Sequence, residues 1–168
     1  MSHPLAVLAR TAAEAPTIAI ASLGVVIRTL VASAETRGAM AALEYTAPPR
    51  FPGPAPHWHA EITETFIGID GTLTLHTDAG EVPLGPGAVA VVPPRVVHRF
   101  GNAGDAPARF LVVATPGAGL EGYFGELARL IAESPVWPPA DPGAVAAIAA
   151  RYDTFAPPVA PAAPPHGG

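Results

Sequence analysis

The chain has 168 residues, of which 49% are hydrophobic and 14% charged, which suits one domain with a core that needs no covalent staples. A net charge of −5 without a basic cluster argues against a nucleic-acid partner. The lack of cysteine removes thiolate metal ligands, a Cys nucleophile and disulfides, in keeping with a reducing compartment.

Taken in order, residues 1–15 read as a short helix with Leu5, Leu8 and Ala12 on one side, ended by Pro16. Residues 17–31, rich in Ile, Val and Leu, read as strand. Between Arg10 and Ala32-Ser33-Ala34 this run imitates a secretory signal, but Glu14, Pro16 and Arg28 interrupt that pattern, so a cytoplasmic location is expected. No apolar run reaches the length of a membrane span. Residues 39–46 read as the next strand, and 48–56 as a proline-rich arm with too few backbone donors for a sheet interior. Residues 62–69 read as a strand, Asp70-Gly71 as a hairpin turn, and 72–77 as the returning strand. Further short strands are expected over 82–84, 88–92, 96–100 and 109–114. Short strands separated by Gly, Pro and Asp turns predict an all-β sandwich or barrel.

After the strands, Gly117-Ala118-Gly119-Leu120-Glu121-Gly122 has the spacing of a dinucleotide-binding turn. No second strand follows its helix to carry a ribose-binding acid, so a flexible exit from the barrel into a covering helix is expected instead. Residues 120–133 form an apolar-faced helix through Leu120, Tyr123, Phe124, Leu127, Leu130 and Ile131, suited to covering the barrel or a partner subunit. Asp141 caps a second helix opened by Pro142 and running to about Tyr152. The domain plan is an N-terminal segment 1–16, a barrel 17–116, covering helices 117–153 and a disordered Pro/Ala-rich tail 154–168.

Chemistry concentrates in two blocks. His57 and His59, two apart on a strand, share one face and can grip one ion together. Glu64 follows after room for a short bend, and His98 must arrive from a distant strand. Three imidazoles and a carboxylate are a usual shell for one divalent transition metal: Fe, Mn, Ni, Cu or Zn. His76 lies opposite Leu73 and Leu75 and reads as outward-facing, while His3 and His166 lie near the ends of the chain.

At these residues the chain resembles the cupin superfamily, in its small single-domain bacterial quercetin-dioxygenase-like branch. The first cupin motif reads His57-x-His59, four residues, Glu64, six residues, Gly71. The second reads Gly87, five residues, Pro93-x-Arg95, two residues, His98, three residues, Asn102, with Arg95 where a turn glycine is usual. The resemblance implies a cupin β-barrel (double-stranded β-helix, or jelly roll) with C-terminal covering helices, and His57, His59, Glu64 and His98 as ligands of one metal. It further implies a small-molecule substrate and a homodimer, for which residues 18–31 are the candidate interface.

Three functions follow from the resemblance. The favoured one is a dioxygenase acting on a small enol, flavonol-like or aromatic substrate, with Glu64 as ligand and catalytic base. A non-redox, Zn-dependent isomerase or polyketide cyclase is the second, in which the ion acts as Lewis acid. A non-catalytic, small-ligand-binding cupin is the third. The register of Glu64 and His98 places Phe66, Val91 and Phe100 among the expected pocket residues. Arg95 joins them if it turns inward to hold a carboxylate or enolate, although a solvated turn favours the outward direction.

Overall fold

The computed structural model describes residues 7–134, 136, 138–139 and 141–158. Its strands are β1 (Thr17–Ile20), β2 (Val25–Val31), β3 (Ala41–Ala47), β4 (Trp58–His59), β5 (Thr63–Asp70) and β6 (Leu73–Thr77). They continue with β7 (Gly80–Leu84), β8 (Val89–Val92), β9 (His98–Gly101), β10 (Ala108–Thr115) and β11 (Thr154–Phe155), the last preceded by helices α1 (Leu120–Glu133) and α2 (Pro142–Ala150). A six-stranded sheet in the order β1-β2-β3-β10-β5-β8 and a three-stranded sheet β7-β6-β9 make a jelly roll, with β4 and β11 paired separately. The sheets do not close into a continuous cylinder.

Alternation explains the walls. Glu64 and Phe66 on β5, and Phe110 and Val112 on β10, are buried, whereas Thr65, Ile67 and Leu111 between them lie on the outer face. The enclosed space is filled by aromatic rings: Tyr45 stacks on Phe110 at 5.1 Å and meets Phe100 edge-on at 5.5 Å, and Phe66 lies 5.7 Å from Phe100. Each such side chain contributes about 1.5–3 kcal/mol by leaving water. Helix α1 closes one side, with Phe124 edge-on to Tyr45 at 6.0 Å.

The apolar run 17–31 is strand, as expected, in two antiparallel segments because the chain reverses at Gly24 with φ 65. Three expectations need correction. Residues 7–15 carry no helix, and 1–6 lie outside the described residues. Asp70-Gly71 does not close a hairpin, since β5 and β6 belong to different sheets and the turn carries the chain across the sandwich. Gly71 is required there: its φ is 67, and a Cβ would stand 2.4 Å from the Pro107 carbonyl oxygen. Finally, the start of the supposed tail is β11, antiparallel to β4, while 159–168 lie outside the described residues.

The glycine-rich turn leads from the strands into helix α1, as expected, and is closely packed rather than a loose exit. Gly117 abuts Ser33 and the Met40 backbone, Gly119 N–H donates to Ser33 Oγ at 2.9 Å, and Gly122 faces the Tyr152 ring. No helix among the described residues is long and apolar enough to cross a membrane.

Candidate metal centre

His57 precedes β4, and its backbone forms a two-bond antiparallel bridge with His98 of β9: His57 N–H donates to His98 O at 2.9 Å and His98 N–H to His57 O at 2.8 Å. Glu64 reaches the same space from β5, held in register between Val92 and Ala114. One donor atom from each of His57, His59, Glu64 and His98 lies within 4.8 Å of the other three. His59, Glu64 and His98 are buried and His57 is half-buried, so the cluster opens toward His57.

The hydrogen bonds fix the tautomers. The Nδ1 of His57 lies 3.0 Å from Ala55 O, that of His59 2.9 Å from Asp153 O, and that of His98 3.0 Å from Val96 O. A carbonyl oxygen only accepts, so each Nδ1 carries a proton and donates it. In a neutral ring the Nε2 is then a lone pair. His98 Nε2 stands 2.9 Å, and His59 Nε2 3.3 Å, from Glu64 Oε2, itself an acceptor. Acceptors converging in a buried space need a cation or a proton among them.

The electrostatics agree. His57 is lowered to about 4, by burial first and by the neighbouring His98 second, and so is neutral near pH 7. Burial would lower His59 too, but the Glu64 carboxylate outweighs it and the His59 pKa is raised. Burial would raise Glu64, yet His59 and His98 hold its carboxyl well below the usual range. Without a metal, Glu64 thus favours the protonated form of His59. The fit is imperfect: despite the 3.3 Å approach, His59 Nε2 is misaligned and makes no hydrogen bond. An unpartnered buried imidazole nitrogen beside a carboxylate suits a metal centre. The four residues could hold one divalent ion.

The other expected pocket residues separate by face. Phe66 is fully buried with its ring 6.2 Å from His98, and Phe100 is buried behind it. Val91 is 58% exposed and pairs with Thr65 on the outer face, so its assignment to the pocket is corrected: Val92, one residue on, takes the inward direction. Arg95 is likewise exposed, lining an outer cavity of about 490 Å³ with Trp58, Ala60, Val97 and Pro158. Its φ of 69 is the left-handed conformation that a glycine would adopt freely, and its N–H donates to His59 O at 2.7 Å. Asn102 organises loops: its Nδ2 donates to Pro48 O at 2.9 Å and Ala106 O at 2.8 Å, and its Oδ1 accepts from Gly104 N–H at 3.0 Å.

Sequence reasoning missed three residues. The phenols of Tyr45 and Tyr123 are pushed up by burial, Tyr123 also by the Glu64 charge, so both are protonated donors in the interior. Helical spacing marks Tyr123 only as part of a packing face. Asp153 meets β4 from more than 90 positions away in the chain, a separation that carries no spacing signal.

Comparison with known proteins fits this geometry. The cupin-domain family matches residues 43–114. A glucose-6-phosphate isomerase of Thermococcus kodakarensis is 40% identical over 70 residues, covering 38% of this chain and 37% of the isomerase. The quercetin 2,3-dioxygenase of Bacillus subtilis is 41% identical over 44 residues, covering 26% of this chain and 13% of the dioxygenase. The chain thus spans less than half the length of the curated relatives it matches. Among solved structures, the polyketide cyclase RemF from Streptomyces resistomycificus has the same fold, with TM-score 0.56 and 22% identity over 66% of this chain and 80% of the cyclase. Residues 43–114 thus form a cupin domain, with both histidine motifs meeting inside its jelly roll.

Proposed function

We propose that this cupin is a mononuclear metal-dependent enzyme, acting as a dioxygenase on a small enolisable substrate. The observation that carries the reading is the convergence of three imidazole Nε2 positions on the Glu64 carboxylate, each ring fixed by an Nδ1–H···O=C bond. A bound divalent ion would favour the ionised, enolate form of a substrate and lower the barrier to its reaction with oxygen. His57, His59, Glu64 and His98 would hold that ion. Glu64, kept ionised, is the group able to take the substrate's proton at a carboxylate oxygen. Tyr45 and Tyr123, kept protonated, can donate hydrogen bonds to a substrate oxygen. The packed rings of Phe66, Phe100 and Phe110 exclude water and favour small enols over bulky flavonols.

A non-redox isomerase is the second reading, favoured by the match to the glucose-6-phosphate isomerase over 70 residues. In either case the partner is a small molecule. The free edge of β1, terminal in its sheet, suits pairing with a second copy as a homodimer. The two chemistries are separated by incubating metal-loaded protein with 1,2- and 1,3-dicarbonyl enols under oxygen and in deuterium oxide. Oxygen uptake that is lost in Glu64→Gln supports the dioxygenase. Deuterium entry at the enolisable carbon without oxygen uptake supports the isomerase. Neither event would overturn both and leave a ligand-binding cupin.

A further inference from the structure

His59 is the one ligand of the cluster whose ring is oriented from outside its own neighbourhood. Its Nδ1–H donates to the main-chain oxygen of Asp153 at 2.9 Å, in the turn between α2 and β11. That oxygen is itself held in place. Asp153 sits in the left-handed conformation, φ 55, and its carboxylate accepts three successive backbone N–H groups. Oδ1 accepts from Ala60 at 3.0 Å, and Oδ2 from Glu61 at 2.8 Å and Ile62 at 2.9 Å. These are the residues that link His59 to the strand bearing Glu64. Asp153 therefore grips the ligand-bearing segment twice, at the His59 ring through its carbonyl and at the following bend through its carboxylate.

The grip is anchored on both sides. Upstream, Tyr152 Oη donates to Glu126 Oε1 of α1 at 2.7 Å, and Arg151 pairs with the same carboxylate. Downstream, Thr154 and Phe155 pair with His59 and Trp58, the Phe155 and Trp58 rings lie 5.0 Å apart, and Trp58 Nε1–H donates to Ala156 O at 3.1 Å.

We propose that Asp153 is a positioning residue for the metal: it selects the Nδ1–H tautomer of His59, turns its Nε2 into the four-residue cluster and so sets metal affinity. The covering helices α1 and α2 act in this as the arm that delivers Asp153. The proposal rests on the metal-binding reading above. A partner of this kind, beyond the ligands themselves, changes metal affinity by about 10- to 100-fold when lost.

Asp153→Gly keeps the left-handed backbone and removes the carboxylate, while Asp153→Asn keeps one acceptor oxygen and tolerates the same backbone. Both are compared with the native chain for Mn²⁺ and Co²⁺ affinity, for melting of the metal-free protein, and for the tautomer of His59 by long-range ¹H–¹⁵N NMR without metal. The expected result, at a pH high enough for His59 to be neutral, is an Nδ1–H ring in the native chain and a mixture of tautomers in Asp153→Gly. Metal affinity should fall about 10- to 100-fold in Asp153→Gly and by less in Asp153→Asn, in variants that still melt cooperatively. Unchanged affinity and an unchanged His59 tautomer in Asp153→Gly would overturn the proposal while leaving the metal site standing. A native chain that binds neither ion, with His59 in the Nδ1–H form, would overturn the metal reading and the claim on affinity with it. Loss of that tautomer in Asp153→Gly would still support the orienting role. Should Asp153→Gly fail to fold, Asp153→Asn decides by the same two readouts.

Discussion

His57 and His98 are oriented locally, each by the carbonyl two residues before it, and their backbones bridge each other directly. His59 is oriented by a carbonyl 94 positions away. The first arrangement forms whenever β4 and β9 come together. The second requires the whole chain through α2 to have folded back onto the barrel. The site therefore has a rigid half, built into the motifs themselves, and a half whose geometry depends on how the C-terminal segment docks. Opening a docked terminal segment costs less than opening a central strand, so the affinity of the centre should vary with the second half before the first is disturbed.

The largest expected effect tests the rigid half. His98→Ala removes a ligand and leaves Glu64 buried without its 2.9 Å partner. Metal binding should be abolished, and the metal-free protein should lose about 3–5 kcal/mol in urea denaturation, as when one member of a buried pair is removed. Retention of stoichiometric metal would show that the rigid half does not carry the site. Phe66→Ala, behind His98, should cost about 3–5 kcal/mol through the cavity it opens. The same denaturation series should place Val91→Thr, on the outer face of the paired strand, within about 0.5 kcal/mol of the native chain.

The two halves also differ in protonation. His57, at about 4, is neutral near pH 7, whereas the Glu64 carboxylate raises the pKa of His59, so of the two it is His59 that holds a proton to the higher pH in the absence of metal. Metal uptake should therefore release a proton, detectable by titration calorimetry in buffers of different ionisation enthalpy. Affinity should fall as pH is lowered, by about tenfold per unit while one proton is displaced. Uptake without proton release would mean that His59 is already neutral. A small effect is also expected of Arg95→Gly, which relieves a left-handed side-chain-bearing residue while adding chain entropy. Stability should change by less than about 1 kcal/mol, with metal affinity unaltered because the 2.7 Å bond from this N–H to His59 O is kept.

The same division governs what could be read without coordinates. His57, His59, Glu64 and His98 were legible because their spacing is local within two blocks, and a jelly roll brings the blocks together. The strands were legible from alternation, and α1 from its apolar face, down to its bounds. Asp70-Gly71 misled because a D-G pair specifies a tight turn without specifying which sheet receives the next strand; the close passage of Pro107 decides that. Val91 misled through register: Val92 and Glu64 are partners across the ladder, which leaves Val91 on the outer face. Asp153 was invisible because its grip on Ala60, Glu61 and Ile62 depends on tertiary docking, and a Pro/Ala-rich neighbourhood gave β11 no strand pattern.

The central claim is that four converging acceptors hold one metal ion. Metal content per chain, measured by mass spectrometry on freshly purified protein and again after reconstitution, tests it most directly when paired with X-ray absorption at the bound metal's edge. The expected result is one ion per chain with an imidazole-rich nitrogen and oxygen shell, absent from His98→Ala. A native chain that retains no ion and acquires none would contradict the account.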